Sequence, residues 1–162
     1  MDGYPLTLGC RDMAQNGAQQ YDAGAAAFFV ETLCQDADTL LRFGFAMTLS
    51  EELAGRLVYR TYETIVPSLP ELLNKDASTI RLQLLRRAWE LHHETNQEGS
   101  SSENVLFPLL KPLDLETRTC LFLVDVVGLS IDEAREITKM DDTELRRFLT
   151  VGRKRLLGFR FE

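Results

Sequence analysis

Residues 113–156 have the sequence LDLETRTCLFLVDVVGLSIDEAREITKMDDTELRRFLTVGRKRL, and this stretch decides the fold of the chain. Its apolar residues recur at helical spacing in three segments, which two sharp breaks separate. The first predicted helix runs from about Asp114 to Val127. It ends at Gly128, because glycine adopts the left-handed cap conformation without strain. The stretch therefore predicts three consecutive helices.

The second and third predicted helices each begin with a capping box. Glu133 follows Ser130 by three residues, and Glu144 follows Asp141 at the same spacing. A turn at residues 139–140 separates the two helices. The residues expected to face inward are Ala134, Ile137, Met140, Leu145, Phe148, Leu149 and Leu156. A short helix, a tight turn and a longer helix predict a helix-turn-helix, whose second helix can lie in the DNA major groove. Any small three-helix bundle is the alternative.

Composition and charge limit the class of protein. With 162 residues and 44% hydrophobic content, the chain can bury a core in one domain or two small ones. Its apolar runs are too short to span a membrane, and its first residues do not have the charged and then apolar pattern of a leader peptide. We therefore expect a cytoplasmic protein. The net charge of −7 argues against electrostatic wrapping of nucleic acid. Residues 139–162, however, carry seven basic and four acidic side chains, a net +3, so phosphate contacts are expected there.

The preceding residues predict further helices and a tether. One helix is expected within residues 22–48, a second begins at Ser50 and ends before Pro67, and a third runs from Asp76 or Ser78 to about residue 94. We expect the apolar segment VLFPLL, at residues 105–110, to be covered by the rest of the protein. The prediction is an all-α protein with two small helical domains. Its parts are a loose arm (residues 1–20), a helical domain (21–94), a linker (95–112) and a helix-turn-helix domain (113–162).

No pattern in the sequence predicts catalysis. It contains no phosphate-cradling glycine loop, no hydrolase nucleophile motif and no zinc-protease motif. Cys10, Cys34 and Cys120 are widely spaced, and with His92 and His93 they do not form a zinc pattern, so we expect reduced, packed thiols. The two histidines are expected at a solvated helix end. We therefore expect no enzyme, and no cofactor, metal or small-molecule substrate.

Two motifs in the right order resemble a known family. The first comprises Leu129-Ser130, Asp132-Glu133-Ala134, Glu136-Ile137, and Leu149 followed by Arg153-Lys154-Arg155-Leu156-Leu157, after LFLVDVVGLS. It resembles region four of bacterial RNA polymerase sigma factors of the extracytoplasmic-function class. The second comprises Ala54, Leu57-Val58, Thr61 and Tyr62. These residues are similar to the Ala-Glu-Asp-Leu-Val-Gln-Glu-Thr-Phe frame of region two.

The resemblance implies a protein that binds RNA polymerase core and promoter DNA, near −10 through region two and near −35 through region four. Anti-sigma proteins commonly bind such factors. The DNA-binding residues it implies are Arg146, Arg147, Arg153, Lys154 and Arg155 in the helix after Asp141, and Arg81, Arg86 and Arg87 in the earlier domain. The polymerase-binding or partner-binding residues it implies are Leu53, Arg56, Leu57, Tyr59 and Arg60. No membrane partner is expected.

The chain departs from the family at several positions, and this leaves alternatives open. Gly55-Arg56 and Tyr59-Arg60 replace positions that are mostly acidic in the region-two frame, and a basic partner would be repelled there. Asp141 and Asp142 stand where uncharged residues usually begin the reading helix. One alternative is a degenerate sigma-like protein that acts by protein binding, as an anti-sigma decoy or adaptor, without promoter recognition. Another is a dimeric helix-turn-helix protein that binds DNA independently of polymerase.

Overall fold

The computed structural model describes residue 27, residues 31–72 and residues 74–158. Its six longer helices are α1 (Ala37–Thr48), α2 (Glu51–Ile65), α3 (Ala77–Thr95), α4 (Leu115–Leu121), α5 (Ile131–Thr138) and α6 (Asp142–Gly158). Short helical turns are Leu33–Asp36, Val66–Ser68, Leu69–Leu72 and Phe107–Leu110, and α4 continues into a π-helical turn, Phe122–Val126. These ranges contain no strand, which confirms the all-α prediction. The predicted arm, residues 1–20, and Cys10 lie outside the described residues.

Local capping fixes the helix boundaries in the first part of the chain, as predicted. Ser50 Oγ accepts a hydrogen bond from the backbone N–H of Leu53 at 3.3 Å and begins α2. Asp76 Oδ1 accepts the N–H of Thr79 at 2.7 Å and begins α3. Helix α2 ends at Ile65, before Pro67, as expected, but Val66 keeps α-helical dihedrals (φ −49°, ψ −43°) and the chain continues into the turn Val66–Ser68. The lack of a backbone N–H at Pro67, rather than the conformation of the residue before it, accounts for the end of the α-helical hydrogen bonding.

Both predicted capping boxes are present in the second part. Ser130 Oγ accepts the N–H of Glu133 at 3.2 Å, and the Glu133 carboxylate accepts the N–H of Ser130 at 2.8 Å. Asp141 and Glu144 make the equivalent bonds at 2.8 and 3.3 Å. Gly128 has a φ of +83°, as expected of a residue that ends a helix in the left-handed conformation.

The apolar residues of α5 and α6 face inward as the sequence predicts. The fully buried members are Ala134, Ile137, Leu145 and Leu149, and the partly buried ones are Met140, Phe148 and Leu156. Helix α6 packs closely on α4 at Gly152. A Cβ there would lie 2.6 Å from Leu121 Cδ1 and 2.7 Å from Thr117 Cγ2. Glycine is therefore needed for the two helices to approach this closely.

One hydrophobic cluster includes residues of both halves of the chain. We call α1–α3 the N-terminal group and α4–α6 the C-terminal group. Helix α4 packs on α1, and α5 packs on α3. The rings of Phe43 and Phe122 stack across the boundary with centroids 5.6 Å apart. The groups are thus in contact, and the division into two domains stays a prediction.

The apolar segment before α4 differs from expectation. We expected residues 105–110 to be covered, but Val105 is 85% exposed, and Leu106 and Leu109 are exposed too. Only one helical turn forms here, and such a turn buries a single side. Phe107 and Leu110, three residues apart, are partly buried, and the others point outward.

The expectation of a solvated histidine pair is wrong for His92. His93 is exposed, whereas His92 is 3% exposed. Helix α3 continues to residue 95, and His92 lies on the same side as the buried Leu85 and Ala88, at the spacing of one helical face. Among the described residues, no helix combines the length and the apolar character needed to cross a membrane.

Candidate nucleic-acid and partner interfaces

Helix α6 exposes a stripe of four polar residues. Thr143, Arg147, Thr150 and Lys154 are separated by four, three and four positions, the spacing that places side chains on one helical face. All four are exposed. We call them the α6 outer stripe. The two threonines were missed in the sequence prediction, although their spacing from the two cations could have revealed them.

The other cations of α6 are engaged within the protein. Arg146 Nε lies 2.7 Å from Asp142 Oδ2. Arg153 forms two bonds to Asp125, at 2.6 and 3.0 Å. These carboxylates raise the pKa of each arginine through the side-chain hydrogen bond. Arg155 Nη1 donates to the Pro112 carbonyl at 3.1 Å.

Arg147 and Lys154, the two cations of the α6 outer stripe, differ from the other cations of α6 in their contacts. Neither Arg147 nor Lys154 forms an ion pair with any residue that the structure describes. The Arg147 guanidinium lies over the Phe148 ring, 5.0 Å from its centroid, a cation–π contact that leaves its N–H groups free of carboxylates. These two side chains are therefore the cations of α6 most available to an external anion.

Acidic residues at the start of α6 belong to its amino terminus. Asp141 and Glu144 form the capping box. The hydrogen bond from Arg146 lowers the pKa of Asp142, so this carboxylate remains charged beside its partner. Carboxylates in the first turn also complement the helix dipole. This placement agrees with their interpretation as a helix start.

The arginines of α3 lie on a different helix and are also paired. Arg81 Nε is 2.9 Å from Oδ1 of Asp36, a mostly buried carboxylate. Arg87 Nη1 lies 3.2 Å from Glu90, and Arg86 Nε lies 3.9 Å from the same side chain. These three arginines lie on a helix of the N-terminal group, whereas the α6 outer stripe belongs to the C-terminal group. Arg81 and Arg86 are exposed and Arg87 is partly exposed, so a DNA phosphate at any of them would compete with the carboxylate partner.

Helix α2 also has an exposed stripe. Glu52, Arg56, Tyr59 and Glu63 repeat the spacing of four, three and four, and all are exposed. We call them the α2 outer stripe. Arg56 is hydrogen-bonded to Glu52, and Tyr59 is 52% exposed. The two glutamates were missed in the sequence prediction, and they offset the cationic character that Arg56 and Arg60 suggested.

The remaining predicted partner-binding residues lie off this stripe. Leu57 is 5% exposed and belongs to the core, and Leu53 is partly buried. Arg60 lies 3.9 Å from Glu94 on α3. Of the five, Arg56 and Tyr59 are therefore the pair that the α2 surface brings together and exposes.

Helix α4 buries a thiol and a guanidinium. The Cys120 thiol is fully buried, and burial raises its pKa to about 12, so it stays protonated at neutral pH. The Arg118 side chain is 2% exposed, and burial lowers its pKa. Arg118 was missed in the sequence prediction because an arginine within a helical pattern is normally a surface residue.

Comparison with known proteins does not assign the chain to a family. No protein-family model matches the chain, and no curated protein matches its sequence. The described residues contain no group of His, Cys, Asp and Glu side chains placed to hold a metal ion. The outer stripes of α6 and α2 are the surface features from which a function can be inferred.

Proposed function

We propose that this protein is a sigma-like transcription initiation protein that binds RNA polymerase core and promoter DNA. The observation that carries the proposal is the α6 outer stripe, with two cations that lack ion-pair partners in the described chain. Helix α6 follows a short helix and a connection of residues 139–141. This order of elements, together with the sequence resemblance to sigma region four, favours α6 as the helix that enters the major groove.

The chemistry of the stripe suits a DNA groove. Arg147 and Lys154 would contact phosphates or the acceptor edge of guanine, and the hydroxyls of Thr143 and Thr150 would reach base edges. Arg153 lies beside the stripe in an exposed ion pair, and such pairs contribute little to stability, so a phosphate could replace the carboxylate. The acidic chain as a whole disfavours DNA binding alone, so tight binding would need the polymerase.

A second function is favoured by the α2 outer stripe and by the paired arginines of α3. Tyr59 is an exposed aromatic residue flanked by charges of both signs, and tyrosines of this kind often dominate protein–protein binding. Arg81, Arg86 and Arg87 already have carboxylate partners. The alternative is therefore a sigma-like adaptor or anti-sigma decoy that binds protein through α2 and does not recognise a promoter.

Transcription with purified components tests the proposal. The protein is mixed with bacterial core polymerase and fragmented genomic DNA, and transcript starts are mapped. We expect the double variant Arg147→Ala, Lys154→Ala to retain core binding and lose at least about tenfold in initiation, since two charge-assisted contacts are removed. The control variant Arg42→Ala, Lys75→Ala removes the same charge from exposed positions outside α6 and should initiate normally.

The possible failures distinguish the two functions. If the unmodified protein binds core but starts no transcript, the adaptor function is favoured, and Tyr59→Ala should then weaken core binding. If it neither binds core nor starts transcripts, the sigma-like proposal is wrong. Equal losses in both double variants would mean that net charge alone, rather than the α6 stripe, controls DNA binding.

A further inference from the structure

The carboxyl end of α1 is capped by a side chain from the C-terminal group. A helix leaves its last carbonyls without partners inside the helix. Arg118 on α4 donates from Nε to Ala46 O at 2.6 Å and from Nη2 to Met47 O at 3.1 Å. Its Nη1 donates to Leu113 O at 2.6 Å. A cation at this end of a helix also complements the helix dipole.

The segment that connects the two groups, residues 96–112, caps the last carbonyl of α1. The backbone N–H of Gly99 donates to Thr48 O. A Cβ at position 99 would lie 2.7 Å from Ser50 Cβ and 3.0 Å from the Leu49 carbonyl oxygen. A side chain therefore fits at position 99 only if the segment moves away from α1.

The same segment supplies a carboxylate to the buried guanidinium. Glu98 Oε1 lies 3.2 Å from Arg118 Nη2, and its own side chain is 44% exposed. Burial lowers the pKa of Arg118, and the charge of Glu98 opposes that shift. The end of α1, the connecting segment and α4 thus meet at one guanidinium, and three of its polar contacts cross between parts of the chain.

This junction lies at the boundary between the two groups. If the two groups separated, water would hydrate Arg118 and the carbonyls of Ala46 and Met47, and this hydration would offset part of the cost of breaking their hydrogen bonds. The side chains of a purely apolar contact would gain no such hydration on separation. Residues 96–112 can extend to about 55 Å, so no helix longer than the turn Phe107–Leu110 has to unfold. The closed arrangement also buries the stacked rings of Phe43 and Phe122.

We propose that Arg118 is a latch, which with Glu98 and Gly99 holds the two helical groups closed and masks the faces of α3 and α5 that pack together. Release of the latch lets the groups move apart about residues 96–112. A partner that binds either masked face must first break the Arg118 contacts. This inference does not depend on the proposed function, because it concerns only the arrangement of the two groups.

Small-angle scattering and hydrogen exchange of the full chain test the latch. Arg118→Met removes the charge and donors but keeps an apolar stem, and Gly99→Ala displaces the segment without changing charge. The matched controls are Arg153→Met, which removes a two-point arginine contact inside the C-terminal group, and Gly55→Ala, where a Cβ meets nothing within 4 Å. Both latch variants should have a larger radius of gyration than the unmodified protein, and the controls should not.

Exchange at the end of α1 gives an independent measurement. Amides of residues 43–49 should exchange at least about tenfold faster in the two latch variants, while helical circular dichroism stays within that of the controls. If Arg118→Met loses helicity, Gly99→Ala decides the outcome. A radius of gyration and exchange rates in Gly99→Ala equal to those of Gly55→Ala would overturn the proposal.

Discussion

Arg153 on α6 is bound at two points by Asp125 in the π-helical turn that follows α4. Arg153 Nη2 lies 2.6 Å from Asp125 Oδ1, and Nε lies 3.0 Å from Oδ2. The turn is π-helical because Val127 N–H bonds to the carbonyl five residues earlier, that of Phe122, at 2.9 Å. The pair is partly exposed. Asp125 therefore neutralises Arg153, which lies beside the α6 outer stripe, but does not bury it in the core.

Removing the Asp125 charge should strengthen DNA binding. We expect Asp125→Asn to raise affinity for duplex DNA several-fold and to steepen its salt dependence by about one counterion, because Arg153 becomes available to phosphate. Fluorescence anisotropy over a range of salt concentrations measures both quantities. Asp132→Asn is the matched control, since it removes an equal charge from an exposed ion pair on α5. Identical behaviour of the two variants would show that Arg153 does not reach DNA.

The close approach of α4 and α6 makes Gly152 sensitive to any added atom. Gly152→Ala places a Cβ against Leu121 and Thr117, and overpacking of this kind costs about 1–3 kcal/mol. Gly55→Ala, in open space within α2, should instead stabilise by about 0.5–1 kcal/mol through helix propensity. Urea unfolding measures both changes. An equal gain in the two variants would mean that α4 and α6 are not in close contact.

The capping box of α5 gives a local stability prediction. Ser130→Ala removes the acceptor of the Glu133 N–H and should lower the free energy of unfolding by about 1 kcal/mol. Ser100→Ala, at an exposed position between the groups, is the control and should change it little. Chemical denaturation followed by circular dichroism makes the comparison. A neutral Ser130→Ala would indicate that this helix end is open in solution.

Local features of the fold could be predicted because their causes lie a few residues apart. The caps at Ser50, Asp76, Ser130 and Asp141 each depend on a side chain and a backbone N–H three positions later. The inward faces of α5 and α6 follow from helical spacing in the same way. These features needed no knowledge of how the groups pack.

Features that depend on packing could not be predicted in the same way. Arg118 bonds to carbonyls 71 and 72 residues away, and no local pattern marks such a contact. The burial of His92 depends on what covers that side of α3. For the candidate site, sequence identified the basic residues of α6, but the partner of Arg153 is 28 residues distant. Sequence alone therefore could not separate the paired cations from Arg147 and Lys154.

The burial of His92 predicts a pH-dependent stability. Burial lowers its pKa below the ordinary 6.5, and the charges of His93 and Arg118 lower it further, against the opposing effect of Glu98. The folded protein therefore binds this proton less readily than the unfolded chain does. Above pH 6.5, His92 should therefore make no pH-dependent contribution to the free energy of unfolding. Below pH 6.5, the free energy of unfolding should fall as the pH drops, by at most about 1.4 kcal/mol per pH unit.

Urea unfolding of the full chain between pH 5 and 7.5 measures this dependence. His92→Gln should flatten the profile in that range, because the buried group no longer titrates. His93→Gln removes the exposed neighbour and should keep most of the slope, so it controls for the loss of one histidine. If His92→Gln retains the slope of the unmodified protein, the loss of stability at acidic pH arises from other groups. In that case His92 remains accessible to protons in the folded state.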